Sequence, residues 1–350
     1  MRKTTSILLL VITVFCLWTA GLRHEPLLRL RAQHHLAAAE PLENAPPLLA
    51  FTTIALGGFR GLLVDVMWLR VSYLQEQGRY YELVQLSDWI TKLEPRATEI
   101  WIFHARNMAY NISVMMPDPE NKWRWVRNGV LLLRDEGLIY NPGDSDLYCE
   151  IGWLFQHKIG GRIDNAAGYY KDKWAQEMNT LWGGARPDYQ KLSVAPEAVR
   201  RMKKGYKLFP DLMREIELEY GQLDWRLPES HAIYWAYRGK KHAGKTQLLS
   251  CDRMIFQSMS ALFKHKLEAE RSMDLLPGTL KAYEEALKRH EDDTAVKIAY
   301  RYFLGNAVIS LNQAGFGAKA REIFGKMKEE LSPSMPDMGF EEFLTRAASE

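Results

Sequence analysis

Residues 64–95 read VDVMWLRVSYLQEQGRYYELVQLSDWITKLEP. Apolar residues recur there at intervals of three and four, charges interleave, Gly78 interrupts the middle and Pro95 closes the end. This is the pattern of two amphipathic helices joined by a tight turn. The same punctuation continues, with breaks at Pro117–Pro119, Pro142–Gly143, Gly160–Gly161, Gly183–Gly184, Pro210, Pro228, Pro277 and Pro333. Long β-branched alternating runs are missing between the breaks, so an all-α chain is predicted. A helical hairpin cannot cover its own apolar face, and neighbouring hairpins must therefore stack to make a core.

The spacing is periodic. Thr98 stands thirty-four positions after Val64, and Trp101 and Ala105 follow it as a large and a small residue one helical turn apart. SDLYCEIGWLF makes a third start, with Tyr148, Gly152 and Phe155 in the matching pattern. Near the C-terminus, GNAVISLNQAGFGAKAREIFGKMKEELSP again reads helix, turn at Gly315, helix with Ala320 and Phe324, then Pro333. A small residue at the crossing lets two helices approach, and the aromatic before it fills the adjacent groove. These features resemble the tetratricopeptide repeat. The first copy is degenerate, because Val71, Leu83 and Ile90 stand where the family has small residues. The second is stretched by MMPDPENKW and closes at Pro142 rather than near Gly129. Residues 185–278 do not fit the repeat. The chain is also similar to bacterial membrane-anchored repeat proteins, a resemblance that implies no activity.

Thr5 to Leu22 carries no charge and follows Arg2 and Lys3, as in a signal peptide or an uncleaved anchor. Eighteen residues of helix span about 27 Å, enough for a thin hydrocarbon core. The exit WTAG is a weak cleavage site, and Cys16 lacks the preceding small residue that lipidation requires. The expectation is a single-pass anchor in a bacterial inner membrane, with the body on the periplasmic side. Arg23, Arg29 and Arg31 pull the other way. The whole chain has 46 Lys and Arg against 43 Asp and Glu; setting aside five bases and one acid in residues 1–31 leaves 41 against 42. So neutral a body offers no footprint for nucleic acid. The organisation expected is an anchor at 1–22, a connector at 23–47, repeats at 48–182, an irregular helical region at 183–278 and repeat-like helices at 279–350.

Chemistry is sparse. GKKHAGKT at Gly239–Thr246 satisfies the phosphate-loop pattern G-x-x-x-x-G-K-[ST]. Such a loop needs a buried strand before it, and HAIYWAYR reads instead as the tail of a helix beginning after Pro228. LLVD at Leu62–Asp65 lies upstream, on a helix. A chain of this composition meets the pattern by accident on the order of once in a hundred. A solvated lysine-rich loop is therefore expected, and a nucleotide-binding protein is the alternative. No H-E-x-x-H, C-x-x-C or G-x-S-x-G occurs, so no metal, cofactor or catalytic residue is assigned. His104 falls on a packing position and is expected to be a satisfied core histidine. Cys149 and Cys251 are expected as two unpaired buried thiols.

Recognition in a groove remains. In the resembled family the first helices of successive hairpins line a concave surface that takes peptides or partner helices. Carried onto this sequence, the inward positions are Asp65, Trp68, Ser72, Gln75 and Glu76 in the first unit. The second supplies Glu99, Arg106 and Tyr110, and the third Asp146, Trp153 and His157. Their mixture of arginine, acids, amide and aromatics suits a binding hot spot. The resemblance implies an all-α, tetratricopeptide-like solenoid that is a membrane-held scaffold for a protein partner and not an enzyme. The rival is a purely structural subunit whose groove is closed by residues 185–278.

Overall fold

The computed structural model describes residues 60–331 and 338–349, with Thr19 and Pro26 as isolated positions. Met1–Leu62 and Leu63–Glu350 form separate compact units. The expected anchor and connector lie, those two residues apart, outside the described residues. Among the described residues no helix is long and apolar enough to cross a membrane.

The described residues form helices and no strand. Helices α1 (Arg60–Glu76) and α2 (Tyr80–Leu93) make the first hairpin, turning at Gly78. The next pair is α3 (98–115) and α4 (119–140). MMPDPENKW does not lengthen the loop between them as expected. α4 begins at Pro119, whose fixed φ suits a first helical position, and the Asp118 carboxylate accepts the Asn121 N–H at 2.8 Å. The added length lies in the helices themselves. α3 winds through a π turn at Asn107–Ile112 and α4 through another at Leu132–Gly137.

A third pair follows, α5 (145–159, with a π turn at Leu154–Ile159) and α6 (Ala167–Trp182). Shorter helices come next: α7 (Tyr189–Ser193), α8 (196–206, ending in a π turn at Met202–Tyr206) and α9 (Pro210–Tyr220). Then come α10 (Pro228–Lys240) and α11 (Lys245–Glu270). α12 (Leu276–Arg289), α13 (Thr294–Gln313), α14 (Gly317–Leu331) and α15 (Phe340–Ser349) complete the chain.

Residues 185–278 break the repeat in sequence but not in space. α10 lies along α5, α11 along α10, and α12 and α13 along α11. Gly152 marks the crossing of α5 with this hairpin. A Cβ there would stand 2.3 Å from Met254 Sδ and 3.2 Å from the Ala232 carbonyl oxygen. Ala232, Ile233, Tyr234, Trp235 and Ala236 of α10 are inaccessible. Aromatic side chains are prominent in the core, with Trp101, Trp225, Trp235, Tyr170, Tyr220, Tyr234 and Tyr300 all inaccessible. Two buried indoles keep their N–H groups bonded, Trp101 donating to the Pro95 carbonyl at 2.9 Å and Trp225 to Glu217 at 2.8 Å, whereas the buried Trp174 Nε1 has no partner among the described residues.

Candidate functional site: a groove between α3, α5 and α11

Three helices each turn one four-residue face toward a common space of about 730 Å³. α3 presents Glu99, Ile102, Phe103 and Arg106; α5 presents Asp146, Cys149, Glu150 and Trp153; α11 presents Ser250, Arg253, Met254 and Gln257. Each set has the spacing i, i+3, i+4, i+7, which puts four side chains on one side of a helix. Gln156 extends the α5 face, and its amide donates to Ser258 Oγ at 2.8 Å, tying α5 to α11.

Charge in the groove is partly settled and partly free. Arg106 grips Glu150 with two bonds, Nε to Oε1 at 2.8 Å and Nη2 to Oε2 at 2.6 Å. Glu150 is 4 % exposed, whereas the Arg106 side chain stays open to the groove. That hydrogen bond to Glu150 raises the Arg106 pKa further above its ordinary value. Arg253 leans on Asp293 at 3.3 Å. Among the described residues Glu99 and Asp146 have no cationic partner; Asp146 accepts only a long bond from Gln247, 3.4 Å. The space therefore carries an excess of carboxylate beside half-buried apolar surface from Ile102 and Phe103, with Met254 buried behind it.

At one end the groove runs into an aromatic cluster built on two π turns. Trp153 stacks on His157 with centroids 4.4 Å apart, and Tyr110 O–H lies 3.1 Å from His157 Nδ1. Burial pushes the Tyr110 phenol up, and burial followed by nearby Lys158 pushes His157 down. A neutral phenol donating to a neutral imidazole satisfies both. π turns of this kind are often found at functional sites.

Of the side chains expected to face inward, Glu99, Arg106, Asp146 and Trp153 line this groove; Tyr110 and His157 lie outside the lining and connect to it through the stacking of His157 on Trp153. The first unit contributes differently. Asp65, Ser72, Gln75 and Glu76 are exposed and lie outside the lining, while Trp68 reaches it only through an edge contact with Phe103, 5.1 Å. The physical reason is that the third wall comes from α11 rather than α1. Sequence reasoning overlooked α11 because the repeat signature lapses at 185–278. The spacing of Ser250, Arg253, Met254 and Gln257 was the available signal. Residues of that region line the space without filling it.

The GKKHAGKT segment is a helix–turn–helix junction and not a strand followed by a phosphate loop. Gly239 and Lys240 end α10, and Lys245 begins α11. Lys241, His242, Gly244, Lys245 and Thr246 are exposed, as expected of a solvated loop, but the first two residues are not. Gly239 is buried where a Cβ would meet Tyr148 Cβ and Cys251 Sγ at 3.1 Å, and Lys240 pairs with buried Asp252 at 3.2 Å. Here the first glycine serves a helix crossing.

Two further expectations need correction. His104 is buried as expected but is not satisfied: neither ring nitrogen has a hydrogen-bond partner, and Ser87 Oγ on neighbouring α2 is likewise buried and unpaired. Cys149 and Cys251 are free, but they are not separate thiols, since their sulfurs lie 2.8 Å apart. Among the described residues no group of three or more His, Cys, Asp or Glu could hold a metal. No family model matches this chain, and no curated protein is significantly similar to it.

Proposed function

We propose that the α3–α5–α11 groove binds an extended or helical segment of a partner protein, and that the chain acts as a tetratricopeptide-like scaffold. The observation that carries this reading is the convergence of three i, i+3, i+4, i+7 faces on one open space. Such a space suits a chain segment better than a small metabolite. It is open to solvent and mixes arginines, acids and amides with half-buried apolar side chains, as hot-spot surfaces do. The unpaired carboxylates of Glu99 and Asp146 ask for lysine or arginine on the segment, and half-buried Ile102 and Phe103 ask for an apolar side chain near it. If the N-terminal apolar segment anchors the chain, the groove holds its partner at a bilayer and raises the local concentration of an assembly there.

Site-specific photo-crosslinking in the native host tests this. A photoreactive phenylalanine analogue at Ile102 or Gln257 should give the same discrete adduct. The same analogue at Leu218, 79 % exposed and away from the groove, should not. Replacing Glu99 and Asp146 with lysine should remove the adduct, and mass spectrometry should find a basic segment at the crosslink. Identical patterns from the groove and from Leu218, or an adduct indifferent to the charge reversal, would exclude the groove as the binding site.

A further inference from the structure

Cys149 and Cys251 come from helices that are far apart in sequence, 102 positions, and meet at the floor of the groove. Their sulfurs are 2.8 Å apart, inside ordinary sulfur–sulfur contact and close to the ~2.05 Å of a bond. The packing around them fixes that approach. Ser145 Oγ bonds the Gly239 carbonyl at 3.1 Å and lies 3.8 Å from Cys251 Sγ, and Gly239 leaves no side chain between α10 and the two helices. The two thiols differ in access. Cys149 lines the groove and is partly exposed, while Cys251 sits behind it, inaccessible to solvent.

We propose that Cys149 and Cys251 are a redox site that closes to an intramolecular disulfide, joining α5 to α11 across the groove floor. The oxidant is a small or protein disulfide, R–S–S–R, entering through the groove. Cys149, as thiolate, attacks one sulfur of the reagent; the R–S–S–R bond breaks, one R–S⁻ leaves and a mixed disulfide forms on Cys149. Cys251, as thiolate, then attacks Cys149 Sγ and expels the second R–S⁻. The pair gives up two electrons and two protons, and the reagent departs as two thiols. In the reduced pair the bond between the two sulfurs holds the Cys251 thiol below its ordinary range and, with burial, pushes the Cys149 thiol up, so access through the groove rather than acidity makes Cys149 the first to react. Closure fixes the distance between two of the three walls, so the redox state of the pair sets how far the groove can open.

The test uses the full chain, equilibrated with glutathione from fully reduced to fully oxidised, quenched with acid, unfolded and labelled with a maleimide polymer. The chain has three cysteines. Reduced protein should take three labels and oxidised protein one, on Cys16, with an intact mass lower by two hydrogens. Cys251→Ser should instead stop at a glutathione adduct on Cys149, because the resolving thiol is gone. Three labels throughout in excess oxidised glutathione, a persistent adduct on Cys149 of the wild-type chain, or a dimer linked through Cys149 or Cys251 would each overturn the proposal. The readout needs no partner, so it stands or fails independently of the peptide-binding reading.

Discussion

Lys158 and His104 are both polar, both about 1 % exposed, and treated in opposite ways by the structure around them. Lys158 Nζ donates to Asp164 Oδ2 at 2.6 Å and lies over the rings of Tyr110 and Tyr170, at 5.3 and 5.9 Å. Asp164 in turn accepts the Tyr170 hydroxyl at 3.0 Å and the Ala166 N–H at 2.9 Å. Burial alone would raise the Asp164 pKa, but the Lys158 bond and these donors hold it below the ordinary carboxylate value. His104 has no such company. Burial pulls its pKa to about 4, and the Asp88–Lys92 ion pair nearby acts on it with opposing signs. One site shows a charge made tolerable by complete pairing, the other a neutral ring left without partners at the α2–α3 joint.

The contrast can be broken first at its stronger side. Asp164→Ala leaves the Lys158 ammonium buried beside no counter-charge and should cost about 3–5 kcal/mol in urea unfolding. A loss below about 1 kcal/mol would mean that the rings alone stabilise the cation. Next in size is a pH effect. His104 and His231 both fall from 6.5 to about 4 through burial, so the folded chain refuses protons that the unfolded chain takes up. Stability is therefore flat above pH 6.5 and falls as pH drops from 6.5 to 4, on the order of 3 kcal/mol per histidine. Chemical unfolding across that window measures it.

His104→Leu sharpens the comparison. It should remove one histidine's share of the acid slope and raise stability at pH 7 by about 1–2 kcal/mol, since two unsatisfied nitrogens disappear from the joint. A loss of stability on this substitution would show that His104 has a partner after all. The smallest effect belongs to Ser87→Ala, which removes the other unpaired polar atom of the joint and should change stability by less than about 1 kcal/mol, in the stabilising direction.

Much of this molecule was legible in the sequence, and the parts that were not share a cause. The turns at Gly78 and Gly315, the crossing glycine Gly152 and the buried face of α10 follow from period and residue size. Those are local properties. Four residues of the candidate groove, Glu99, Arg106, Asp146 and Trp153, could be placed because helical phase carries directly from one turn to the next. The α11 wall was missed, as were the approach of Cys149 to Cys251 and the solitude of His104. Each depends on which helix stands opposite, and a single chain does not encode its neighbours in any short window. The GKKHAGKT segment misleads for the same reason. Its residues fit a phosphate loop letter by letter, while the helix before it decides its shape.

The π turns give the groove an unusual kind of adjustability. Gly160 N–H reaches back five residues to the Phe155 carbonyl at 2.8 Å, so one residue more than an α turn needs is accommodated there. Losing one codon from such a turn would let the helix wind as α, and everything beyond would swing by about 100°. In α5 this would carry Lys158 away from Asp164, and in α3 it would carry the end of the helix away from α4. Substitution changes what a wall is made of. At these turns, insertion or deletion changes which way the wall faces, and one lineage could re-aim the surface in a single step without remaking the core.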